Sequence, residues 1–191
     1  MKKKALTQIA FEFLSVVFAV LLALGLNSFK QNMDLESEGE FLQEKIIKET
    51  KRNLLELDSV LITNKAFFIQ LDSLRKTDKL ISDQLNISIA SELLTRSAWD
   101  FTKASRSFSY IDEEFLSEAA FLYESQDYYM TISNQMFEKL GDMLLTDPDM
   151  EKVIKLTHYY ISNLNVTAEN LIKTYQEFLD RYTQSISEEM I

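Results

Sequence analysis

One stretch limits what this chain can fold into. Ile9 to Leu26 reads IAFEFLSVVFAVLLALGL and is apolar except for Glu12 and Ser15. At about 1.5 Å per residue, a helix of this stretch is roughly 27 Å long, close to a bilayer hydrocarbon core of about 30 Å. Lys2, Lys3 and Lys4 precede it, and Asn27, Ser28, Lys30 and Gln31 follow. We therefore expect a short tail over residues 1–8 and a transmembrane helix over 9–28. A secretory signal peptide shares the basic start and the apolar run, with Ala23-Leu24-Gly25 as a cleavage site. Glu12 at the front of the run, and full spanning length without a helix breaker, favour a retained anchor. Three lysines lie before the span and only Lys30 closely after it, followed by Asp34, Glu36 and Glu38. The positive-inside rule then puts the N-terminus in the cytoplasm and the rest of the chain outside it.

The span has a face. At 100° per residue, Glu12, Ser15, Ala19, Ala23 and Asn27 fall within roughly a third of the circumference. Ser15, Ala19 and Ala23 form a row of small residues that lets two helices approach closely in lipid. A carboxylate at the depth of Glu12 is costly unless it meets a helix, water or headgroups. Two readings stand: this face is a helix–helix interface, or Glu12 reaches interfacial water and the small residues carry no partner.

Composition narrows the remainder. The sequence has 3 Gly and 1 Pro, so tight turns are few and long helices are expected. Its net charge of −10 excludes a general nucleic-acid binder, which needs a basic face. No Cys is present and His158 is the only histidine. Zinc, thiol, di-iron and phosphate-loop chemistry thus lack their residues. No cofactor, metal or catalytic site is expected, and the chain does not read as an enzyme.

Residues 29–40, FKQNMDLESEGE, form a polar juxtamembrane connector that either continues the helix or breaks near Gly39. Residues 41–191 form the outer helical domain. In it Ile47, Leu54, Leu61 and Phe68 recur every seven residues, with Thr50, Leu57, Asn64 and Leu71 in the alternate seam. That is a coiled-coil stripe of about four heptads. Leu55, Val60, Ile62 and Ile69 widen it, which fits a bundle better than a two-stranded coiled coil. Asn64 either pairs with a partner Asn or lies near the membrane-distal end.

Periodicity fades over 75–86. A second helix is then expected from a cap at Ser88 or Ser91 to about Phe108. Leu94, Ala98, Phe101, Ser105 and Phe108 share one of its faces; Arg96, Trp99, Lys103 and Arg106 share the other. This second face is a candidate surface patch for an anionic partner, since a Trp among cations binds such groups. The alternative is that Trp99 packs inward and the cations pair with nearby carboxylates. Asp112 with Glu113 and Glu114 starts a third helix. Asp147-Pro148 starts the last, which buries Val153, Leu156, Tyr160, Leu164, Leu171, Tyr175, Phe178 and Tyr182. The short link near Thr146 makes these two helices antiparallel. Tyr128-Tyr129 and Tyr159-Tyr160 are expected to meet as an aromatic layer, their hydroxyls partnered. Asn86-Ile87-Ser88 and Asn165-Val166-Thr167 match the glycosylation triplet. The fold class is all-α: an N-terminal transmembrane helix, then a bundle of long helices in antiparallel hairpins.

FEFLSVVFAVLLALGLNSF, GEFLQEKIIKETKRNLLELDSVL and SAWDFTKASRSFSYIDEEFLSEAAFLYESQDYY resemble a widespread group of short bacterial membrane proteins of unknown function. In that group an acidic residue opens the span, a Leu-Ala-Leu segment lies near its end, and a Trp-containing helix precedes a Leu/Tyr-Asp step. The chain departs from the pattern at Arg106-Ser107, where small residues are usual, and at Phe29, where a Trp often follows the span. The resemblance implies a single-pass protein of the bacterial inner membrane with a periplasmic helical domain, and implies no activity. Two functions follow as expectations. One is a scaffold that docks a protein partner or its own copy through the span or the bundle, besides the lipid bilayer. The other is an accessory ligand-binding, sensor-like bundle. The polar end SISEEMI offers no second span for a direct receptor. A polar-lined cavity between helices would favour the binder, and a packed core the scaffold.

Overall fold

The computed structural model describes residues 2–76, 94–146 and 149–188. Among them there are four α-helices, one 3-10 turn and no strand. Helix α1 runs unbroken from Lys2 to Lys76, 75 residues and about 110 Å. Helix α2 is Ser97–Ala104, the 3-10 turn is Arg106–Tyr110, α3 is Glu113–Thr146 and α4 is Met150–Glu188. The outer half of α1 packs on α4, and α4 on α3; α2 and the 3-10 turn lie along α1. The all-α expectation holds.

Among the described residues, the first part of α1 is the one helical stretch long and apolar enough to cross a membrane, and none of that stretch is buried. Every side chain from Glu12 to Asp34 is exposed. Residues 29–40 do not interrupt α1. With no proline and one glycine there, nothing ends the hydrogen-bond ladder.

Beyond Gly39 the helix acquires a buried side. All eight seam residues, Ile47 to Leu71, are buried or half-buried. Ile46, Asn53, Val60 and Phe67 are buried beside them, so the stripe is wide enough to face two helices at once. Asn64 lies inside this bundle at 1% exposure. Of the residues expected to widen the stripe, only Val60 does so. Leu55, Ile62 and Ile69 point outward, because α3 and α4 occupy the other side. All eight residues expected to be buried on α4 are buried or half-buried.

Helix starts follow capping chemistry. The Asp112 carboxylate accepts the Phe115 N–H at 2.9 Å, as expected. Helix α4 is capped by Asp149, which accepts the N–H groups of Glu151 and Lys152 at 3.1 and 3.4 Å. Asp147 and Pro148, expected in that role, lie outside the described residues, as do most of the 75–86 turn, the Ser88 and Ser91 caps and the Asn86 triplet. The described second helix is only eight residues long. Its cap comes from another element: the Glu49 carboxylate of α1 accepts the Ala98 N–H at 3.1 Å and the Ser97 hydroxyl at 2.8 Å.

Candidate functional site

Of the two readings of the α2 face, the structure takes the alternative: Trp99 packs inward and two of the cations pair with carboxylates. Trp99 is a core residue, 7% exposed, stacked on Tyr123 with centroids 5.6 Å apart and planes 9° from parallel. On the other face Leu94 is buried and Ala98 and Phe108 are half-buried, while Phe101 is 59% exposed. Stacking on Tyr123 takes up the indole's large apolar area, and that fixes which side of α2 turns inward. Arg96 pairs with Asp127 of α3 and with Asp100. The hydrogen bond to Asp127 raises the guanidinium's pKa further, and a hydrogen bond from Lys103 lowers that of Asp100. Lys103 also lies 5.5 Å from the Trp99 ring centroid. Arg106 stays exposed on the 3-10 turn. Of the four patch residues, Trp99 is inside and two cations are paired.

A different cationic surface forms between α1 and α2. Lys45, Lys48, Lys51 and Arg52 line a groove of about 710 Å³ together with Leu55, Ala98 and Phe101. Helical spacing puts these cations on one side of α1. Arg52 pairs with Glu56 at 3.0 Å, and Lys45 lies over the Phe41 ring at 4.7 Å. Lys48 and Lys51 have no ion pair among the described residues. The acid between them, Glu49, is committed to capping α2 and to the Tyr123 hydroxyl at 2.6 Å. The stretch KETKRN carries three of these cations in the sequence, but Ala98 and Phe101 arrive from α2, about fifty residues later in the chain.

Behind the groove a polar node locks its walls. The Asn53 side-chain amide donates to the Thr95 carbonyl at 2.7 Å and to Gln126 Oε1 at 3.1 Å, while its oxygen accepts the Thr95 N–H at 3.1 Å. Tyr175 donates to Gln126 Oε1 at 2.7 Å. Four parts of the fold thus meet at one buried point. Burial raises the pKa of the Tyr175 phenol, as it does that of Tyr123, where the Glu49 carboxylate adds to the effect.

On the opposite side, Tyr128, Tyr159 and Tyr160 line a groove between α3 and α4 with Ile132 and Asn163. Tyr128 faces Val166 and Thr167, and no ring stack joins it to Tyr159 among the described residues. Tyr129 turns into the core, where its hydroxyl is unpartnered and burial pushes its pKa up to about 12. The expected aromatic layer is therefore a groove lining, because the two tyrosine pairs are staggered along the antiparallel helices. Asn165 of the second triplet is buried.

Glu12, Ser15, Ala19, Ala23 and Asn27 all lie exposed on the apolar part of α1, and the Ser15 hydroxyl approaches the Glu12 carbonyl at 3.5 Å. Among the described residues, no group of three or more His, Cys, Asp or Glu is arranged to hold a metal ion. No protein-family model, no curated protein and no solved structure matches this chain.

Proposed function

We propose that this chain is a membrane-anchored docking protein without catalytic activity. The apolar start of α1 holds it as a single pass in a bacterial inner membrane, N-terminus in the cytoplasm, and its outer bundle receives a protein partner. The observation that carries this reading is the α1–α2 groove: an apolar floor of Leu55 and Phe101 under Lys45, Lys48, Lys51 and Arg52, on a chain of net charge −10. Such a surface complements an acidic, partly apolar protein segment. The buried side chains of the helices form one hydrophobic cluster, which supports a scaffold. The group of membrane proteins that the sequence resembles supports the same placement.

The test is purification in mild detergent with mass spectrometry of the co-purifying proteins. Lys48→Glu/Lys51→Glu changes only exposed side chains and is expected to remove the partner. Ala19→Leu/Ala23→Leu reports separately on contact within the bilayer, with a second copy or another span. If both variants keep the wild-type set and oligomer size, the docking reading is wrong. A cysteine at Ser187 should react with an impermeant thiol reagent on spheroplasts, and absent labelling overturns the orientation.

A further inference from the structure

We infer that the Tyr110 end of the 3-10 turn Arg106–Tyr110 is a foot resting in the lipid headgroup layer, so that the outer domain touches the membrane at a second place beside α1. This rests on reading residues 9–28 as the span. Helix α2 and the turn run back along α1 toward that span. Thr95 is bonded to Asn53, Ser97 to Glu49, Ser107 to Glu38, and Tyr110 to Asn32. Each bond lies nearer the apolar run than the one before. Then the chain turns: Ile111 packs against Gly39 and α3 leads away.

Depth follows from helix geometry. Asn32 lies four residues beyond residue 28, about 6 Å along an unbroken helix. The headgroup layer on each side of the hydrocarbon is roughly 5–7 Å thick. The Tyr110 hydroxyl, 3.0 Å from Asn32 Oδ1, is therefore at headgroup level. The surroundings suit that depth. Phe29 and Met33 remain exposed on α1, extending the apolar surface past the span. Tyrosine favours the interface, having an apolar ring and a polar tip.

The turn is held stiffly for this role. Glu38 accepts the Ser107 hydroxyl at 2.7 Å and the Ser105 hydroxyl at 3.3 Å. Ser105 in turn caps the turn by accepting the Ser107 N–H at 3.1 Å. Asp34 and Glu36 stand on the neighbouring turn of α1, so zwitterionic lipid fits this surface better than anionic lipid.

With no native cysteine, single labels are unambiguous. The environment-sensitive fluorophore NBD is attached at Ser109, Asn134 or Val17 of the full chain in phosphatidylcholine vesicles. Nitroxide lipids, labelled on the headgroup or in mid-chain, serve as quenchers. Headgroup nitroxide is expected to quench Ser109 and not Asn134, and mid-chain nitroxide to quench Val17. A Ser109 signal as unquenched as that of Asn134, with Val17 still quenched, overturns the foot and leaves the span standing. An unquenched Val17 overturns both.

Discussion

Two kinds of buried polar residue hold different amounts of this fold. Asn53 is fully buried and completes a node that no other side chain replaces. Asn53→Ala leaves the Thr95 N–H without its acceptor, while Gln126 Oε1 keeps the Tyr175 hydroxyl, a cost of about 1–3 kcal/mol. The expected result is lower stability in urea together with faster amide exchange over residues 95–104. Unchanged exchange there would mean that Trp99 alone holds α2. The tyrosines act differently, because their hydroxyls stay neutral in the fold. Tyr123, Tyr129 and Tyr175 all have raised pKa values, burial being the main cause. Below about pH 10 both folded and unfolded chains keep these protons, and stability does not depend on them. Above it the unfolded chain loses protons that the fold retains, so stability falls as pH rises, by about 1.4 kcal/mol per pH unit for each phenol. Tyr129, with its pKa near 12 and its hydroxyl unpartnered, gives the clean variant. Tyr129→Phe should flatten the decline between pH 10 and 12 by less than a third, since Tyr123, Tyr175 and Tyr182 also have raised pKa values. Urea titrations across that range measure it, and an unchanged slope refutes the assignment.

The elements were legible where a period ran long enough to average over exceptions. The seam from Ile47 to Leu71 and the apolar side of α4 needed only spacing to be read, because each is a helix with one wet and one dry side. Helix α2 was legible only as two alternatives, of which Trp99 inward with its cations paired is the one the fold takes. It has eight residues, its cap is Glu49 from another helix, and Trp99 turns inward only because Tyr123 awaits it. None of these is a local property. Leu55, Ile62 and Ile69 misled for a related reason: hydrophobicity marks a residue as able to be buried, while the placement of α3 and α4 decides which are. The groove cations were visible as charges and invisible as a site until α2 supplied the floor. Gly39 shows the point in one residue. It reads as a helix breaker, yet it sits within α1 where a Cβ would lie 3.4 Å from Ile111 Cγ1 and 3.6 Å from the Ser107 carbonyl. Those are ordinary contacts, so Gly39→Ala should fit and stabilise α1 by about 1 kcal/mol. Gly39→Leu has no such room and should lift the 3-10 turn from α1, lowering the melting temperature. Equal melting temperatures for the two variants would show that the close approach is not needed.

At the scale of the whole molecule, one helix carries two kinds of surface. From Phe13 to Met33, large apolar side chains stand exposed around α1, and no residue from 12 to 34 is buried. From Gly39 outward the same helix is one wall of a packed core. An apolar surface of that extent is not sustained in water, whereas in lipid the α-helix satisfies its own backbone groups. The two halves share almost nothing energetically. The described side-chain bond between the outer domain and α1 before Gly39, apart from those to Glu38, is Tyr110 to Asn32. Every residue of the hydrophobic core has a number of 42 or above. A chain beginning at Asn32 should therefore keep the bundle, remain monodisperse without detergent, and melt within a few degrees of the full chain in detergent. The full chain without detergent should aggregate. Circular dichroism and light scattering on the pair test both halves of the argument. A fragment that unfolds would show that the apolar rod supports the bundle, and a full chain that stays dispersed in plain buffer would remove the reason for placing that rod in a membrane.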